Sequence, residues 1–175
     1  IEDNILAYNT ASDDGGGIYV QALMTSTWGT AMLQNNHIFS NTAGSAGGGI
    51  HAKNTENITI EDNALANNAA VSGGGIYIPG GDLVEIENNV ISANQAGGTG
   101  YGGGIFVGST ASPSMIQNNI IVDNDGYEGG GIYIDTSDGD PLTIQHNVVA
   151  FHSDIYQGGG IYSRDSVSLS IQNNT

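Results

Sequence analysis

The chain has no cysteine, three prolines and only two basic residues, Lys53 and Arg164, in 175 positions. Without cysteine there is no disulfide scaffold, and the compartment is left open on that ground. Against the two cations stand 18 acidic residues and a formal charge of −16. Nucleic-acid phosphates would be repelled along the whole surface, so a nucleic-acid partner is not expected. The same sign argues against anionic membranes. No run of about 18 apolar residues is present, so no membrane insertion is expected, and no basic-then-apolar leader marks an export signal. Scarce lysine suits a protein exposed to salt, divalent cations or the cell exterior, which makes an extracellular or cell-surface location the expectation.

What the sequence has in abundance is glycine, 28 residues, and it is not scattered. A triplet followed by Ile recurs as GGGIY at Gly15, GGGIH at Gly47, GGGIY at Gly73, GGGIF at Gly102, GGGIY at Gly129 and GGGIY at Gly158. The Ile residues fall at 18, 50, 76, 105, 132 and 161, spaced 32, 26, 29, 27 and 29 apart. A second phrase keeps step with the first: IEDN, LQNN, IEDN, IENN, IQNN, IQHN and IQNN. Its last position is always Asn: Asn4, Asn36, Asn63, Asn89, Asn119, Asn147 and Asn174. Five residues on come Asn9, Asn41, Asn68, Asn94 and Asn124, with His152 in the sixth place. Repeats of this period are the signature of a solenoid.

Each repeat holds three short apolar stretches of period two, the strand period, and none is long enough for a helix. The expected fold is therefore all-β, a parallel β-helix of about six coils with three short strands per coil. One domain, residues 1–175, is built of six repeats of about 28 residues. Each strand pairs in parallel with its copies above and below, about 4.8 Å away. Recurring Asn side chains can then form ladders from coil to coil, and Asn also tolerates the left-handed backbone of a corner. The glycines read as another corner, where positive φ or close coil-to-coil approach excludes a Cβ. A phosphate-cradling loop is the competing reading, but no helix and no Lys-Ser/Thr completes it.

The pairing of I-x-N-N-x-I-x-x-N-x-A with GGGIY resembles the right-handed parallel β-helix repeat of the pectin-lyase-like superfamily. The pairing of GGGI with I-x-x-N, as in Ile38 to Asn41 and Ile91 to Asn94, is similar to the repeats of polymorphic outer membrane adhesins and of large bacterial and archaeal β-helix surface proteins. The third glycine stands where the adhesin repeat has Ala. The resemblance implies a right-handed coil and admits two activities: a polysaccharide lyase using calcium-binding carboxylates and a basic proton acceptor, or a glycosidase using clustered Asp.

The residues do not favour either activity. Lys53 and Arg164 lie four coils apart, about 19 Å at the strand spacing, too far to act on one sugar. No pair of carboxylates is marked at the separation of about 5 to 10 Å that a glycosidase needs. No catalytic residue and no required cofactor is expected. Asp123, Asp125 and Glu128 in DNDGYE, and Asp135, Asp138 and Asp140 in DTSDGD, are oxygen-rich turns with the donors for a weak calcium site. Asp-Gly turns equally form without metal.

In I-Y-I the Ile residues point in, so the residue between them points out: Tyr19, His51, Tyr77, Phe106, Tyr133 and Tyr162. They are expected to make an exposed aromatic column. It either stiffens the sheet by cross-strand pairing or serves as a contact stripe for glycans or a neighbouring rod. The first coil carries an insertion with the single Trp, Trp28, as a lid over its own coil or a docking knob. Together these features point to a non-enzymatic structural or adhesive rod. The alternatives are a carbohydrate-binding rod using the aromatic column and a non-catalytic segment of a polysaccharide-degrading enzyme. Residues 1–4 and 171–174 share one phase of the repeat, so no cap is expected at either end. The expected partners are copies stacked end to end as a filament, or flanking coils of a longer chain, besides surface glycans or other proteins.

Overall fold

The computed structural model describes residues 1–22, 29–136, 141–164 and 168–175. All its pairings are parallel, and no helix occurs among these residues. Two sheets have six strands each, and the third has eleven. The third is larger because the post-glycine strands and the pre-asparagine strands are fused at its centre. Ile76–Glu87 runs through both, pairing Ile76 with Ile105 at one end and Ile86 with Ile116 at the other.

Every coil contains one strand more than its sequence pattern shows. After the second asparagine comes a short strand, Thr10–Ala11, Thr42–Ala43, Ala69–Ala70, Gln95–Ala96, Asp125–Glu128 and Ser153–Gln157, and these form a sheet of their own. Most are two residues long, too short for alternation to register. Their inward alanines, Ala43, Ala70 and Ala96, are buried.

The core consists of apolar columns in strict register. Ile50, Ile76, Ile105 and Ile132 stack on one wall, Ile60, Ile86, Ile116 and Ile144 on the next, and Ile38, Leu65, Ile91 and Ile121 on the third, all at 0% exposure. Burying such a side chain stabilises by about 1.5–3 kcal/mol. No coil can do this alone, which is why the unit of stability is the stack.

The glycine triplet has two separate causes. Gly47, first of its run, has φ of 68°, and a Cβ there would lie 2.6 Å from the His51 Cβ. Gly48, the second, has no such backbone; instead its Cβ would meet the Gly74 carbonyl oxygen at 2.5 Å. At this corner neighbouring coils approach too closely for a Cβ, backbone on backbone.

The asparagine corners differ from expectation in one respect. The left-handed residue is the one before each ladder asparagine: Asp3, Asn35, Asp62, Asn88, Asn118, His146 and Asn173 in one column, and Tyr8, Ser40, Asn67, Ala93, Asp123 and Phe151 in the other. The left-handed residue turns the chain so that the following side chain points inward. The ladder asparagine is then held by hydrogen bonds, and at the first corner the Asx preference for positive φ belongs to its neighbour.

Candidate functional site

Two ladders run the length of the molecule inside its corners. In the first, Nδ2 of Asn63 donates to Oδ1 of Asn89 at 3.1 Å, and Nδ2 of Asn89 to Oδ1 of Asn119 at 3.0 Å. The same Oδ1 atoms accept the backbone N–H groups of Asn63 and Asn89, both at 2.9 Å. Asn4, Asn36, Asn147 and Asn174 extend the pattern. The second ladder links Asn9, Asn41, Asn68, Asn94 and Asn124 in the same way. Nine of these amides are buried, from Asn36 to Asn147, and each Nδ2 also reaches backbone, as Asn89 does to the Ile60 carbonyl at 2.8 Å. Buried polar groups are tolerated only when satisfied in this way.

Outside the post-glycine strands lies the aromatic column. Tyr77 and Phe106 stack with centroids 4.5 Å apart, Phe106 and Tyr133 at 5.2 Å, and Tyr133 and Tyr162 at 5.2 Å. Tyr19 and Tyr77 meet His51 edge-on, both at 5.1 Å. The strand phase is as expected, since Ile132 and Ile134 on either side of Tyr133 face the core. The exposure is not. Only Tyr19 is exposed, at 44%; Tyr77 and Tyr162 are half-buried, and His51, Phe106 and Tyr133 are buried at 3%, 8% and 1%. Each ring from His51 to Tyr133 is sandwiched by its coil neighbours, and Tyr101, from the loop before a glycine corner, stacks on Tyr133 at 4.8 Å. Tyr101 lies outside the repeat phrase, so no periodicity marks it. Burial pushes the Tyr133 phenol above its ordinary value, against the Arg164 guanidinium beside it.

Near the first coils the column borders a hollow of about 190 Å³, lined by Asp14, Ser45, Ala46, His51, Lys53, Tyr77 and Pro79. Oδ1 of Asp14 accepts the Ala46 N–H at 3.2 Å, and Oδ2 lies 3.5 Å from Nδ1 of His51. That second contact is too long to be a good hydrogen bond. Burial holds the imidazole below its usual value, with Asp14 opposing and Lys53 reinforcing the shift. Burial also raises Tyr77, aided by Asp14 and Asp135. Lys53, His51, a phenol and a carboxylate thus converge over three coils. Sequence alone does not reveal this cluster: His51 and Tyr77 share one repeat position, but Asp14 and Lys53 stand at other phases.

The oxygen-rich turns do not converge. Asp123 is an exposed corner residue, Asp125 lies in a strand where Gln95 Nε2 donates to it at 3.4 Å, and Glu128 bridges to Tyr101. Asp135 sits across from Arg164. Among the described residues no three His, Asp or Glu side chains gather as a metal site. Asp138, Asp140 and Trp28 lie outside the described residues. On the pre-asparagine face, Glu87 stands next to Glu61 and accepts from Gln117 Nε2 at 2.9 Å; Gln145 in turn donates to Gln117 at 2.9 Å.

Residues 21–175 match the family described as the right-handed β-helix region. Neither a curated protein nor a solved structure matches the chain. With parallel sheets stacked coil on coil, buried asparagine ladders and this match over most of its length, the chain belongs to the right-handed β-helix family.

Proposed function

We propose that this chain is a non-catalytic structural or adhesive rod of a secreted or cell-surface protein. The observation that carries the reading is the unbroken first ladder, in which every amide from Asn4 to Asn174 is bonded to the next. A continuous buried ladder gives a stiff body with a repeating lateral surface. The acidic charge of −16 suits solubility outside the cell. The outward rings of the post-glycine strands are largely consumed by stacking on each other, which supports stiffening over ligand contact.

The hollow beside Lys53 favours a second reading, carbohydrate binding, because it joins charged and hydroxyl groups to the half-buried ring of Tyr77. A glycan array separates the two. The rod reading expects no glycan retained above background. Retention by the natural chain that is lost in both Lys53→Ala and Tyr77→Ala would replace it with the binding reading.

A further inference from the structure

The sheet between the two asparagine corners has an outer face that the repeat pattern alone leaves unexplained. Its strands include Ile5–Ala7, His37–Phe39, Ala64–Ala66, Val90–Ser92, Ile120–Val122 and Val148–Ala150. Their middle residues point into the core, so the flanking ones point out. In register, the leading outward column reads Ile5, His37, Ala64, Val90, Ile120 and Val148. Val90, Ile120 and Val148, on consecutive coils, are exposed at 42%, 45% and 39%. Val122 and Ala150 continue the apolar surface beside them, half-buried. At the rim stands Phe151, 81% exposed at φ 60°, an unusual backbone for a bulky residue.

In a chain with 18 carboxylates, neither outward column of this sheet carries an Asp, Glu, Lys or Arg. The other sheets do carry them outward: Asp135 and Lys53 in the post-glycine strands, Glu61, Glu85 and Glu87 in the pre-asparagine strands, and Asp125 in the short strands. A cationic partner would be drawn to those faces. A second copy of this chain, also at −16, is repelled by them and can approach closely only where both surfaces are neutral.

We propose that this outer face is where two copies of the chain lie side by side, sheet on sheet. Their rungs share one spacing of about 4.8 Å, so the ridge of Val90, Ile120 and Val148 meets a groove of equal period along its length. The contact is self-complementary, as a twofold pair requires. Six rungs of three residues give roughly 250 Å² per copy, about 500 Å² in all before the rim, against roughly 1,200 Å² for a stable complex. The association is therefore weak and concentration-dependent, and it strengthens with salt, which screens the remaining charge.

The test is sedimentation of the natural chain over rising concentration in high salt, beside Ile120→Lys and, as a control, Thr143→Lys on the pre-asparagine face. The natural chain and Thr143→Lys should rise in mass from one copy toward two. Ile120→Lys should weaken association by about tenfold or more, since it would bury an unpaired ammonium. Its thermal midpoint should be unchanged, because Ile120 lies outside the core. A natural chain that stays single throughout overturns the proposal. So does equal association of Ile120→Lys, which would assign the contact to another surface. Binding to neutral lipid vesicles by a chain that never pairs overturns it as well, giving the face to lipid.

Discussion

The backbone N–H of Asn124 donates to Nδ1 of His152 at 3.1 Å, in the place where the preceding coils of that ladder offer an asparagine oxygen. The imidazole substitutes for an amide only while Nδ1 is unprotonated. Burial accordingly holds His152 below its ordinary value of 6.5, and His51 shifts in the same direction. The unfolded chain takes up these protons at higher pH than the folded one. Stability from this source is therefore complete above the unfolded value and is lost as pH falls below it toward the folded values. His152→Asn should raise the unfolding midpoint at neutral pH and reduce the loss of stability between pH about 7 and 5. Thermal unfolding at several pH values checks this; an unchanged pH slope in His152→Asn would count against it.

Asn89→Ala should destabilise by about 1–3 kcal/mol, because the buried Asn63 N–H loses its acceptor and the Ile60 carbonyl loses a donor. Denaturant unfolding gives the value. A variant as stable as the natural chain would show that the ladder follows from the fold and does not hold it.

Gly48→Ala and Gly98→Ala separate the two uses of glycine. At Gly48 the new Cβ meets backbone at 2.5 Å, so two coils must part. Gly98, at φ 65°, has nothing within 4 Å, and only local strain is incurred. The first substitution should cost about 3 kcal/mol or more and the second about 1 kcal/mol. Equal effects would mean that the close coil-to-coil approach at Gly48 costs no more than a left-handed backbone in open space at Gly98.

Tyr133→Ala should cost about 3–5 kcal/mol, as for a buried aromatic, and Tyr19→Ala less than about 1 kcal/mol. The two residues occupy the same repeat position, and only their burial, 1% against 44%, distinguishes them. Comparable losses would return the column to a uniform role.

Much of this architecture was legible because it repeats. Ile76, Ile86 and Ile91 could be placed on inner walls by alternation, and Asn63 and Asn89 at one corner by constant spacing. What did not repeat was not legible. Tyr101 covers Tyr133 from a loop outside the phrase, and the Asp14, His51 and Lys53 hollow draws on different phases of successive coils. The left-handed residue stands one position before the ladder asparagine: at the first corner Asn and Asp crowd both positions, and at the second Tyr8, Ser40, Ala93 and Phe151 give no sign of it, so only the backbone separates the two. The short fourth strand was hidden by its length.

As the rod proposed above, the molecule should turn over no polysaccharide. The most direct test is to incubate the purified chain with neutral and acidic polysaccharides, with and without calcium, and to follow new reducing ends and the absorbance of unsaturated products. Lys53→Ala and Asp14→Asn, the charged members of the hollow, run alongside. The expected result is no product above the protein-free rate for any of the three. Product formed by the natural chain and lost in Lys53→Ala would contradict the account.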